Sequence, residues 1–84
     1  MSEDQPRTNH ELDPNAALGA VIRDLRQRAK LSQEEVGARA ELDEGEVAAI
    51  EAGKLEPTWG DLRRIARALS VPLPDLLARL ERPD

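Results

Sequence analysis

The sequence contains no cysteine, tyrosine or phenylalanine. Without thiols, neither a disulfide nor a thiolate zinc site can support a fold. The same absence fits a reducing, cytoplasmic setting. Trp59 is the single aromatic residue, so any core must be aliphatic. No apolar run approaches the roughly 18 residues of a membrane span, and the start shows no basic segment followed by an apolar one, as a signal peptide would. The one histidine, His10, stands in a polar stretch with no second ligand and reads as a solvated side chain. No Ser/His/Asp or Cys/His set is available for nucleophilic catalysis. The five glycines form no strand-to-helix phosphate loop. The expectation is a non-enzyme without metal or cofactor.

What is present is charge, unevenly placed. The 84 residues allow one small domain and carry a net charge of -5. Domains that bind nucleic acid through charge alone are usually strongly basic, so the overall balance argues against that class. The distribution is more informative. Residues 15–31 carry +3, residues 32–53 carry -6, and residues 54–84 carry +1. Residues 1–13 are polar and aperiodic and read as a disordered tail; residues 81–84 should fray.

Between them the sequence reads as five short helices with no strand of any quality. Asp13 and Pro14 start the first, whose apolar stripe is Leu18, Val21, Ile22, Leu25 and Ala29. Its arginines fall mainly off that stripe, near the end where cations suit the helix dipole. Ser32 and Glu35 form a capping box for the second helix, which should end at Arg39 or Ala40. Gly37 inside it makes sense if another helix crosses very close. "ELD" then turns the chain. Asp43 caps a third helix with Glu46 as its box partner, and Gly53 stops it. Thr58, with Asp61 as a weaker partner, caps the fourth. The fifth carries Leu73, Leu76, Leu77 and Leu80. Two short helices joined by about three residues have the geometry of a helix-turn-helix.

The run from Leu25 to Val71 resembles the phage-repressor-like helix-turn-helix family, the Cro or xenobiotic-response-element type. The resemblance is carried by "LSQEE", "IEAGK", the pair Pro57–Thr58 and "IARALSV". It implies an all-α, five-helix lambda-repressor-like bundle over residues 14–80. It also implies a transcriptional regulator that binds double-stranded DNA, usually as a homodimer and repressor, with residues 44–52 in the major groove. Ser32 and Gln33 would meet phosphate at the start of the second helix, which its free N–H groups also favour. Asp43, Glu44, Gly45, Glu46 and Ala49 would face the bases. Lys54 and Thr58 would meet the backbone, with Arg39 as a further anchor. Arg26 and Glu51 match a pair that bridges the first and third helices in relatives. Leucines of the fifth helix, Leu73, Leu76, Leu77 and Leu80, are candidate dimer contacts.

Two departures stand out. Glu41 occupies a turn position usually held by glycine, so positive φ there would strain it by about 1 kcal/mol. The recognition face from Asp43 to Ala52 holds no Arg, Lys, Asn or Gln, the usual readers of guanine and adenine. Helix-start chemistry accounts for most of its acids; acceptance from cytosine N4 is the other reading. The -6 segment also supports a second function class, an acidic interaction module that meets a basic protein surface. Trp59 fits either a lid on the core edge or a partner contact.

Overall fold

In a computed structural model of the protein, the structure describes residues 13–80. Each helix begins where a side chain or backbone group can close its first turn. α1 (Pro14–Arg28) starts with Asp13 Oδ1 accepting the Asn15 N–H at 2.9 Å. α2 (Gln33–Ala40) has a full capping box: Ser32 Oγ accepts from the Glu35 N–H at 2.9 Å, and the Ser32 N–H donates to Glu35 Oε1 at 2.7 Å. α3 (Glu44–Glu51) follows Asp43, whose N–H donates to Glu46 Oε1 at 3.0 Å. α4 (Trp59–Ala68) opens on Thr58 and Asp61, which exchange both bonds at 3.0 Å, so Asp61 is a complete partner rather than a weak one. α5 (Leu73–Leu80) completes the set, and no strand occurs among the described residues.

The stops are less conventional. Lys30, Glu41 and Ser70 each take φ near +60°, as does Gly53 at +77°. Left-handed backbone lets the chain fold back and satisfy the last helical carbonyls. Thus the Leu31 N–H reaches Arg26 O, and the Val71 N–H reaches Ala66 O.

α2 packs against both α3 and α4, α1 against α3 and α5, and α4 against α5. The residues that meet at the centre are aliphatic: Ile22, Val36, Ile50, Ile65 and Leu76 are essentially inaccessible. Each such side chain contributes about 1.5–3 kcal/mol by leaving water. The stripe of α1 is shorter than its periodicity predicts, because Ala29 is the exposed C-cap residue. Leu76 differs from its expected role as a dimer contact: it is buried in the core, while Leu73, Leu77 and Leu80 are half-buried against it. Among the described residues no helix is long and apolar enough to cross a membrane. The expectations for the tail through residue 12 and for residues 81–84 lie outside the described residues.

Candidate nucleic-acid interface

Residues 41–43 join α2 to α3. Glu41 adopts φ 61° and ψ 43°, and the Leu42 N–H donates to Gly37 O at 2.8 Å. A Cβ on Gly37 would stand 2.6 Å from Leu42 O. The glycine therefore admits the chain's own turn and the start of α3. Gly19 plays a similar part that periodicity did not reveal. A Cβ there would collide with the Ile50 and Glu51 carbonyls, so α1 lies directly on the end of α3.

With α3 pinned at both ends, its two faces are fixed. Val47, Ile50 and Glu51 point inward. Asp43, Glu44, Gly45 and Glu46 are exposed, and Ala49 is half-exposed. Nothing lies within 4 Å of the position a Cβ on Gly45 would take. The tip of α3 is a free, acidic surface.

At the other end of α3 lies the one buried charged residue among the described residues, Glu51, at 4% exposure. The Arg26 guanidinium grips its carboxylate twice, Nε to Oε2 at 2.6 Å and Nη2 to Oε1 at 3.0 Å. Arg26 Nη1 also donates to Leu31 O at 2.9 Å, closing the end of α1. The hydrogen bond to Glu51, reinforced by its charge, raises the Arg26 pKa above its ordinary value, against the opposing effect of burial. Gln33 joins this cluster: its Nε2 donates to Glu51 Oε1 at 3.0 Å. A carboxylate only accepts, so Glu51 fixes which end of the amide turns toward it. Arg23 Nε stands 3.7 Å from the same oxygen, with its side chain 53% exposed.

The other expected contact residues are spread around this centre. Ser32 is exposed, its hydroxyl already serving Glu35. Arg39 lies six residues beyond Gln33, about 9 Å along the helix axis, and its Nη1 is 3.5 Å from Ala68 O. Lys54 and Thr58 are exposed on the loop between α3 and α4. Arg64, which sequence reasoning passed over, closes the end of α2 through Ala40 O at 2.9 Å and pairs with Asp61 at 2.6 Å. Only its i,i+3 spacing to Asp61 was visible beforehand. Trp59, the first residue of α4, is 65% exposed. It lines a groove of about 300 Å³ together with Leu18, Pro57, Leu62, Leu77 and Leu80 among others.

A helix-turn-helix domain family model matches residues 17–80. No curated protein sequence matches significantly. Two solved structures share the fold closely. The clp gene regulator ClgR from Corynebacterium glutamicum superposes with a TM-score of 0.77 at 24% identity, covering 81% of this chain and 88% of that one. The restriction-modification controller protein C.AhdI from Aeromonas hydrophila gives 0.73 at 28% identity, covering 81% and 97%. The match over nearly every described residue, on five helices in this order, settles the kinship: the chain belongs to the helix-turn-helix domain family.

Proposed function

We propose that the protein is a sequence-specific transcriptional regulator that binds double-stranded DNA as a homodimeric repressor. α3 enters the major groove with Glu44, Gly45, Glu46 and Ala49 toward the base edges. The observation that carries this reading is the α2–turn–α3 unit, locked by Gly37 against Leu42 O with the outer face of α3 left open. Ser32, Gln33, Arg39, Lys54 and Thr58 act on phosphates, which position the protein while α3 reads sequence. ClgR is a clp gene regulator and C.AhdI a restriction-modification controller protein, which favours the same role here. Leu77 and Leu80, half-exposed beside Trp59, are the apolar surface for a second copy. A labelled-DNA shift with the gene's own upstream region, at low and moderate salt, tests the reading. A shift that competitor DNA of unrelated sequence does not abolish is expected. No shift at any salt overturns it.

A second reading rests on the charge of -6 across residues 32–53 with Glu34, Glu41, Glu44 and Glu46 all exposed. In it the same face meets a basic protein. Replacing Glu44 and Glu46 by glutamine separates the two: DNA binding strengthens under the first reading, whereas a basic partner is lost under the second.

A further inference from the structure

The cluster at Glu51 holds more positive charge than Glu51 can use. Arg26 already matches the carboxylate with two hydrogen bonds, at 2.6 and 3.0 Å, and is itself mostly buried. Arg23 approaches the same carboxylate only at 3.7 Å and is half-exposed. An ion pair that long and that wet contributes little. The Arg23 charge therefore stands near Glu51 without being neutralised by it, and the group of Arg23, Arg26 and Glu51 carries a net +1.

Gln33 stands beside it. Its Nε2 shares Glu51 Oε1 with Arg23, so the two nitrogens lie within about 7 Å of each other, a gap that one phosphate can bridge with two hydrogen bonds. We infer that Arg23 and Gln33, side by side at buried Glu51, form a phosphodiester clamp on the α1–α2 edge, with Arg23 supplying the charge that the acidic α3 lacks. Glu51 is the positioning residue. It takes one amide hydrogen of Gln33 and so fixes that amide beside the guanidinium of Arg23. A planar guanidinium then meets phosphate oxygens in a fork that a lysine cannot reproduce. This inference rests on the DNA-binding reading and adds a residue that the resemblance did not assign.

The test uses the full chain and a DNA fragment selected by the wild-type protein from a random library. Dissociation constants are measured across a salt series for wild type, Arg23→Gln, Arg23→Lys and Gln33→Ala, with melting temperatures recorded for each. A cation that neutralises one phosphate contributes about 0.9 to the slope of log affinity against log salt. Arg23→Gln should flatten the slope by that amount and weaken binding several-fold at about 0.1 M salt on all sequences alike, with melting unchanged. Arg23→Lys should restore the slope but not the full affinity. Gln33→Ala should lower affinity without altering the slope. A wild-type slope retained in Arg23→Gln overturns the clamp while leaving the DNA-binding reading intact. A wild-type protein that selects no DNA overturns both.

Discussion

Glu41 carries the clearest sign of local strain. It holds φ 61° and ψ 43° to end α2, a conformation that costs a residue with a Cβ about 1 kcal/mol and glycine almost nothing. Its side chain is exposed, so nothing else is lost on removing it. Glu41→Gly should raise stability slightly, by up to about 0.5 kcal/mol, after the extra freedom glycine gives the unfolded chain is subtracted. A higher urea midpoint with an unchanged slope checks this; a lower midpoint would mean the glutamate makes a favourable contact. Gly37 is the converse case, since alanine there meets the Leu42 carbonyl at 2.6 Å and must push the turn away. Both positions show what sequence can and cannot disclose about residues. The strain at Glu41 was legible because the resemblance puts a glycine at that turn position. What touches Gly37 and Gly19 was not, because a glycine carries no mark of the chain that will approach it.

At the scale of elements, the capping boxes were legible and the junctions between helices were not. Ser32/Glu35 and Thr58/Asp61 act within four residues, so their chemistry is written locally. Thr58→Ala should cost about 1 kcal/mol by leaving the start of α4 without its hydroxyl acceptor, read as a lower melting temperature. Glu51 works over distance: it meets Arg26 from 25 residues away and Gln33 from 18. The Arg26 pair was anticipated from the family resemblance, but no spacing rule predicts that Gln33 turns to the same oxygen. Removing this junction should be severe. Glu51→Ala leaves the Arg26 guanidinium, 13% exposed, without its counter-ion, which costs about 3–5 kcal/mol where small domains have about 5–15 in total. Chemical denaturation should show a large loss of midpoint, and Glu51→Gln, which retains acceptor and shape, a smaller one. The sign with pH follows from Arg26. Its pKa is raised on folding, so its share of stability is complete below the ordinary arginine value and fades only in strong alkali.

For the whole molecule, the central problem is a protein of net charge -5 meeting a polyanion. The acids of residues 32–53 sit on α2, α3 and the turn between them, whereas of the α1 arginines Arg26 is committed to Glu51, Arg28 pairs with Asp24, and Arg23 stands half-exposed. Glu44 is where the conflict is sharpest. It is the first residue of α3, fully on the outer face, while Glu46 is committed to the Asp43 N–H and Glu51 to Arg26. A first-turn acid stabilises its helix by only about 0.3–1 kcal/mol through the dipole. Glu44→Gln should therefore lower stability slightly and raise DNA affinity several-fold at about 0.1 M salt. The gain should shrink toward 1 M, as the screening length falls from about 10 Å to about 3 Å. Binding measured on the selected fragment and on shuffled DNA decides what Glu44 does. An equal gain on both means it was simple repulsion. A loss confined to the selected fragment, traced to one C·G pair by substitution, would mean that the glutamate accepts from cytosine N4 and that the acid reads sequence.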